Sequence, residues 1–460
     1  MAQGVKLTII GAGAFRTPRL LYGLIKHVQS LRIDRIDLYD LSSDRLASMQ
    51  AMGQYVADLL GSPIILRAQP SLLEACRDAA FVLLTYRVGG EEGRAIDERV
   101  AMDNGVLGQE TVGPGGFFMA LRSIPVTLQY MEDIRRIVPD AWVINFTNPA
   151  GTVAEAVARA GDHRFVGVCD TPYHLQMEIA DFLQLAVDDL RVESVGLNHL
   201  GWFQRIWANG HDLLPDLLDH LKAVQQAIRP LSFFDPAYIQ QNRALPTEYV
   251  YFYLQASEVL ARLKEKHTRG EVLRDQAEAF WPPFHDTVRA GRLAEAWREY
   301  GQVITRRSNS YLATETGSTF PRGLDPDSLF ASEGYEGVAI RVMEGVLSMG
   351  THPVIVNVPA HGILPGFGSD VIECTSYIDR HGIVPLPFTQ SPPASCLDLM
   401  RTVKNFEVRT VEAVQSRHRD DIVTALAANP LLGGNTALAR QIIDARRSQP
   451  QSPALLEEGT

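Results

Sequence analysis

Cysteine is scarce in this chain, and the four present, Cys76, Cys169, Cys374 and Cys396, lie far apart. That spacing excludes a disulfide framework and a paired zinc motif, and leaves four reduced thiols. Basic charge is in deficit as well: 43 Lys and Arg against 54 Asp and Glu give a formal net charge of -11. No basic footprint for nucleic acid or an anionic membrane results. No run approaches the roughly 18 apolar residues of a membrane span, no internal repeat is present, and no charged leader precedes Val5 to Ile10. The expected place is the cytoplasm, with neither membrane nor nucleic acid as partner. What is present is a globular composition, 46% hydrophobic and 21% charged over 460 residues, enough for two domains with substantial cores. A small-molecule enzyme fits these bounds.

The first 170 residues alternate short apolar runs with helical patterns, as β-α-β units around a parallel sheet do. Val5 to Ile10 and Ile36 to Tyr39 read as the first strands. Phe81 to Tyr86, Ala141 to Phe146 and Phe165 to Val168 read as later ones, each followed by polar or glycine-bearing residues where a doubly wound sheet places its ligand loops. Past Gly196 come long helical stretches, Leu213 to Ile228 and Ala277 to Tyr300, then a β-rich section from Pro353 to Ile378. Pro385, Pro387, Pro392 and Pro393 mark a turn before two terminal helices, Leu397 to Ala427 and Asn435 to Arg447. The expected architecture is α/β: a Rossmann-like, doubly wound parallel sheet over residues 1–195, a second, mixed α+β domain over 196–447, and a flexible tail over 448–460.

Gly11-Ala12-Gly13 ends the first strand, and Thr17-Pro18 supplies a helix N-cap with proline at the first helical position. Two glycines permit a tight turn and close approach to a pyrophosphate, which the free N–H groups and dipole of the helix then stabilise. Arg16 stands where the usual third glycine would be, so a purely structural strand-to-helix joint remains an alternative. Asp40, ending the second strand, fits a ribose 2′-hydroxyl and hence NAD rather than NADP; its other reading is a helix cap ahead of Ser42 and Ser43.

Four later segments narrow the reading. They are Arg94-Ala95-Ile96-Asp97-Glu98, Gly108 through Gly116 (GQETVGPGG), Asn145 through Gly151 (NFTNPAG), and Gly196 through Trp202 (GLNHLGW), with Cys169-Asp170 between the last two. In this order, from residue 5 to about residue 420, the set closely resembles the NAD- and metal-dependent family 4 glycoside hydrolases. Cys169 and His199 each follow an apolar strand, so both project from the sheet edge toward one cleft; on their own they read equally as a buried thiol and a core imidazole. The resemblance implies that they bind a divalent metal, commonly manganese in the family, although softness alone favours zinc or copper beside a thiolate.

The chemistry implied by the resemblance is oxidation of the sugar C3 by NAD, metal-assisted loss of the C2 proton, elimination of the C1 leaving group, water addition and re-reduction, so that NAD is recycled. It further implies Tyr249, in Leu245-Pro246-Thr247-Glu248-Tyr249, as the base at C2, and Asp170 as the acid that protonates the departing oxygen; a cap for the following helix is the alternative for Asp170. Arg94 and Arg269 match arginines that hold a phosphate or hydroxyls of the substrate, a task suited to guanidinium forks. Asn148 fits a sugar hydroxyl or the nicotinamide, and Glu110 is a further acid without a fixed role. The second domain would then carry substrate, metal and the contacts of a homodimer or homotetramer.

Arg16 departs from the small hydroxyl residues that the family has near the pyrophosphate turn, and fits a contact to it or to a substrate phosphate. Ala360-His361-Gly362 departs too, from an Asn-rich turn. The expected activity is cleavage of a small glucoside, with or without a 6-phosphate, leaning to 6-phospho-β-glucosides, with Asp170 pulling toward α-linked ones and unphosphorylated galactosides or glucuronides as further alternatives. Two rivals stand beside it: a 2-hydroxyacid dehydrogenase of the lactate/malate dehydrogenase-like superfold, which would release NADH, and a non-catalytic NAD-sensing protein. Cys169 and Gly108 to Gly116 do not fit the first, and the second predicts no cleavage at all.

Overall fold

The computed structural model describes residues 4–317, 325–331, 334–348 and 353–457. Six strands form the parallel part: β1 (Val5–Ile10), β2 (Ile33–Tyr39), β3 (Ile65–Ala68), β4 (Phe81–Leu84), β5 (Trp142–Asn145) and β6 (Phe165–Gly167). Their spatial order is 3-2-1-4-5-6, with parallel pairing throughout, which is the dinucleotide-binding arrangement. Side chains alternate across this sheet as the pleat requires: Leu7, Ile9, Phe81 and Leu83 join one buried cluster, Ile10, Val82 and Leu84 the other. Helices cover both faces, so these strands read as nearly continuous apolar runs.

The sheet does not stop there. β7 (Arg191–Leu197), β8 (Leu200–Ala208), β9 (His211–Asp212), β10 (Leu245–Pro246), β11 (Val354–Pro359), β12 (Val371–Asp379) and β13 (Gly382–Pro385) extend it by antiparallel pairing. The junction is β11 beside β6, joined at Asn357 and Gly167, and the order runs on through β12, β7 and β8 to β10. The boundary expected at 195/196 falls inside β7, because this strand pairs with both β8 and β12 and is structurally part of the extension from its first residue.

Several long helices expected from the sequence are pairs. The stretch 213–228 breaks at His220 into Leu214–Asp219 and Leu221–Ala227. The stretch 277–300 belongs to two antiparallel helices, Arg269–Arg289 and Leu293–Asn309, turned at Gly291 with φ +73°. The first of the two expected terminal helices, 397–427, is broken at Arg417, φ +60°, into Ala394–Ser416 and Arg419–Ala427. An apolar stripe is indifferent to such a break, because both halves bury the same face. The tail also differs from expectation. Leu455 and Leu456 are buried, and Arg446 donates to the carbonyls of Pro450 and Gln451 at 3.0 and 2.7 Å, so residues 448–457 fold back on the core; 458–460 lie outside the described residues.

An aromatic cluster ties the two regions together over the glycine turn. Phe15 packs on Phe280 (5.0 Å between centroids), Trp281 and Tyr300, so the helices Arg269–Arg289 and Leu293–Asn309 roof the C-terminal edge of the parallel strands. The roof and the edge enclose a cavity of about 1130 Å³.

Candidate active site

This cavity runs from Asp40, Ser42 and Arg45 at one end, past Gly11, Gly13 and Arg16, to Cys169, His199, Tyr249, Arg269 and Tyr311 at the other. Its volume exceeds the range of about 300–1,000 Å³ usual for a single small ligand. Every site residue expected from the sequence lines it: Gly11, Gly13, Arg16, Asp40, Arg94, Asn148, Cys169, Asp170, His199, Tyr249 and Arg269, together with Glu110.

At the nucleotide end, Gly11 has φ +85°, and a Cβ there would lie 2.5 Å from the Tyr86 backbone nitrogen. Only glycine lets the chain turn this close to the loop after β4. Asp40 ties the end of β2 to the turn: its Oδ2 accepts from Gly13 N at 2.7 Å and its Oδ1 from Ser42 N at 2.8 Å. Ser42, not Asp40, caps the following helix. The first helix differs from expectation by one residue: Arg16 occupies the N-cap position without a side-chain cap, and Thr17 is its first residue. A glycine turn, a helix N-terminus and an acid at the end of the neighbouring strand fit a dinucleotide.

Cys169 follows β6, and His199 sits in the two-residue turn between β7 and β8 at φ +62°, a conformation that non-glycine residues seldom hold without compensation. Thr111 orients its ring. The Thr111 hydroxyl lies 3.1 Å from Gln109 Oε1, which only accepts, and 2.5 Å from His199 Nδ1. The consistent order is a hydroxyl donating to the amide oxygen and accepting from Nδ1–H, which leaves Nε2 with its lone pair. Burial also pushes the His199 pKa down to about 4, so the imidazole is neutral at neutral pH. Burial, with Glu373 and Asp170 nearby, pushes the Cys169 thiol well up. No group of three or more His, Cys, Asp and Glu able to hold a metal occurs among the described residues. Cys169 and His199 both line the cavity, and one sulfur and one imidazole nitrogen beside open space fit an open metal site, not a closed structural one.

The Tyr249 ring lies flat on His199, 3.9 Å between centroids and 5° between planes. Burial, with Glu248 and Glu110 close by, pushes the Tyr249 hydroxyl well above its ordinary value. A cation near His199 would act in the opposite sense. Asp170 holds the N-cap position of the helix Thr171–Leu183 but makes no side-chain cap; its Oδ2 faces Arg16 Nη1 at 3.5 Å. Burial would raise the Asp170 carboxyl, yet His174, Arg16 and His199 outweigh it and hold the group below its ordinary range.

The arginines differ in what they can offer a ligand. Arg94 Nε donates to Glu98 (2.8 Å) and its Nη1 to Glu110 (2.8 Å). Arg87 pairs with the same Glu110 at 2.6 Å, and Asn148 Nδ2 donates to it at 3.3 Å. Glu110 is thus the hub of a buried ion network: burial alone would raise its carboxyl, but Arg87 and Arg94 hold it far below the usual range. Arg269, at the start of a helix closed by a capping box of Thr268 and Glu271, donates among the described residues to neutral partners, Ser310 Oγ (2.9 Å) and Arg307 O (2.8 Å). Burial lowers its pKa, with Glu315 acting against that.

Arg307, Glu248 and Tyr311 escaped the sequence reading. Arg307 packs over Phe15 (4.7 Å), donates to Glu91 (3.2 Å), and has a buried Nη1 without a protein acceptor among the described residues. Burial lowers its pKa to about 10. Helical spacing carried the signal for Arg307: Tyr300, Ile304 and Arg307 fall on one stripe of the helix Leu293–Asn309, whose first two members are core, and Tyr311 follows in the turn beyond it.

Comparison with known proteins agrees with this geometry. The model of the family 4 glycosyl hydrolases matches residues 6–185, and that of the family 4 glycosyl hydrolase C-terminal domain matches residues 194–432. A 6-phospho-beta-glucosidase of Escherichia coli (strain K12) is 31% identical, with 96% of this chain and 95% of that one aligned. A maltose-6′-phosphate glucosidase of Clostridium acetobutylicum is 29% identical over 95% of this chain and 96% of its own length. The structure of a 6-phospho-beta-glucosidase from Thermotoga maritima, with manganese, NAD+ and glucose-6-phosphate, superposes with a TM-score of 0.78 at 24% identity, covering 96% of this chain and 98% of that one, and so shares the fold. The chain belongs to glycosyl hydrolase family 4.

Proposed function

We propose that this protein hydrolyses the O-glycosidic bond of 6-phosphorylated glucosides, with 6-phospho-β-glucosides favoured over their α-linked counterparts, using NAD and a divalent metal, Mn2+ by the family's habit. The observation that carries the reading is one cavity that joins a dinucleotide turn to a thiol, an imidazole and a phenol, with Arg269, which has no carboxylate partner among the described residues, at its far end. When bound, NAD supplies reversible hydride storage at the sugar C3 and the metal supplies electrostatic stabilisation of charge at the C2 and C3 oxygens.

Gly11, Gly13, Asp40 and Arg16 would hold the dinucleotide, and Cys169 and His199 the metal. Tyr249, flat against His199, would take the C2 proton. Asp170 would serve the leaving oxygen, which requires the ligand to offset the Arg16 and His174 charges that keep it ionised. Arg269 is the better placed of the two expected phosphate arginines, because a dianion can pair with a guanidinium whose protein partners are neutral; Arg94, spent on two carboxylates, would rather orient Glu110 and, through it, Asn148 toward the sugar. Four buried free thiols suit a reducing cytoplasm, where the protein would act as a homodimer or homotetramer, a state that sedimentation analysis reads directly.

The test is a panel of nitrophenyl α- and β-glucosides, galactosides and glucuronides, with and without 6-phosphate, incubated with NAD, Mn2+ and a reductant. Cleavage of the 6-phospho-β-glucoside without net NADH formation is expected. Cleavage of unphosphorylated sugars alone refutes the phosphate assignment, and stoichiometric NADH release refutes the glycosidase chemistry.

A further inference from the structure

This inference rests on the reading of Tyr249 as the base at C2. Two groups behind that residue, Tyr311 and Glu248, continue it into a hydrogen-bonded line. The Tyr311 hydroxyl lies 2.8 Å from Glu248 Oε1 and 2.8 Å from the Tyr249 hydroxyl. Tyr249 and Glu248 are buried, and all three residues line the cavity. A carboxylate only accepts, whereas a phenol carries one hydrogen and also accepts. The order that uses both contacts is Tyr249 O–H donating to Tyr311 and Tyr311 O–H donating to Glu248. The reverse, Tyr311 donating to Tyr249, takes its hydrogen away from the carboxylate.

That order has a consequence at the sugar. The Tyr249 hydrogen is turned inward, along the bond to Tyr311, and a lone pair of its oxygen faces the cavity. The ring plane is fixed independently, by the stack on His199 and by Phe252 at 5.7 Å. The turn that carries Tyr311 is itself held on both sides: Arg229 Nη2 donates to Tyr311 O at 2.9 Å, and Ser310 Oγ, one residue earlier, accepts from Arg269 at 2.9 Å. We propose that Tyr311 and Glu248 make Tyr249 competent as the base at C2: as the Tyr249 oxygen takes the C2 proton, its own hydrogen passes to the Tyr311 oxygen and the Tyr311 hydrogen to Glu248, so that both phenols end neutral and the carboxylate holds the proton. A hydroxyl free to rotate would spend part of its time with the hydrogen toward the sugar, a non-productive geometry. The end of the helix Leu293–Asn309 thus sets both the base and the phosphate-side arginine.

The experiment uses the holoenzyme with NAD and Mn2+ and nitrophenyl 6-phospho-β-glucoside, unlabelled or deuterated at C2 or at C3. Tyr311→Phe removes only the hydroxyl. The expected result is a kcat lower by about 10–100-fold, a KM within about threefold, and a C2 isotope effect that grows while the C3 effect shrinks, because the C2 step becomes more rate-limiting. Glu248→Gln, which keeps the side-chain volume and the hydrogen-bond acceptor but cannot take up the proton, is expected to move the isotope effects the same way by at least as much, and decides the matter if Tyr311→Phe does not fold. Wild-type kcat in Tyr311→Phe, or a lowered kcat with both isotope effects unchanged, overturns the proposal. Tyr249→Phe separates the two readings. If it retains kcat, the assignment of the base fails; if it abolishes turnover while Tyr311→Phe behaves as wild type, only the role of Tyr311 fails.

Discussion

Thr111→Val removes one hydroxyl, keeps the shape of the side chain, and tests how the imidazole is presented. In the folded protein that hydroxyl accepts from His199 Nδ1 at 2.5 Å and donates to Gln109 Oε1 at 3.1 Å, which fixes both the ring orientation and the tautomer with Nε2 open. Valine leaves Nδ1–H buried without this acceptor, and it removes the bias toward the productive tautomer. Losing such an outer partner of a metal-binding histidine costs about 10–100-fold in metal affinity, or about 1.4–2.8 kcal/mol. That range matches the cost of about 1–3 kcal/mol for an unsatisfied buried donor. The assay is Mn2+ binding to the NAD-loaded protein, followed by the paramagnetic signal of free Mn2+, with thermal melting of the metal-free protein alongside. Thr111→Ser, which restores the hydroxyl, is expected to bind within about threefold of wild type. If Thr111→Val binds Mn2+ as wild type does while melting normally, His199 is not oriented by Thr111, or is not a ligand, and the argument fails.

Other perturbations probe separate parts of the molecule. Arg269→Gln is expected to raise KM for the 6-phosphorylated glycoside by about 10–100-fold, the worth of a charge-assisted hydrogen bond or two, with little effect on an unphosphorylated one; equal losses on both speak against a phosphate contact. In Gly13→Ala the new Cβ meets Asp40 Cγ at 2.8 Å and Arg45 Cβ at 2.9 Å, so NAD affinity by calorimetry should fall at least about tenfold, and unchanged affinity would remove Asp40 and the turn from the nucleotide site. Asp97 accepts from Arg446 Nε (2.6 Å) and from both terminal nitrogens of Arg122; Asp97→Asn strands two buried guanidiniums and should cost about 3–5 kcal/mol in urea unfolding, with a loss below about 1 kcal/mol counting against a structural triad. Burial pushes the Glu373 carboxyl up to about 7 from 4.5, against hydrogen bonds from Asn198 and Asn357. The folded metal-free protein then keeps a proton that the unfolded chain gives up. This contribution is complete below pH 4.5 and is lost as the pH rises to 7, so Glu373→Gln should flatten the fall in melting temperature across that window. The same slope in the variant as in wild type contradicts it.

Local pattern carried much of this protein. Apolar runs ending in glycine or polar residues located all of the parallel strands but β3, because strands buried on both faces need no partner information to be recognised. Motif order along the chain located the residues that line the cavity, from Gly11 to Arg269. Tertiary structure alone decided how those residues are held and what each has left to give. No periodicity reveals that Thr111 meets His199 across 88 positions, that Tyr311 meets Tyr249 across 62, or that Arg94, beyond its helical neighbour Glu98, also pairs with Glu110. The same holds for the sheet, which continues past β6 because β11, some 190 residues later, pairs with it at Asn357 and Gly167. Sequence spacing reports which face of an element is buried; which group stands opposite depends on long-range packing, and here that opposition sets the charge, the tautomer and the hydrogen-bond direction at the site.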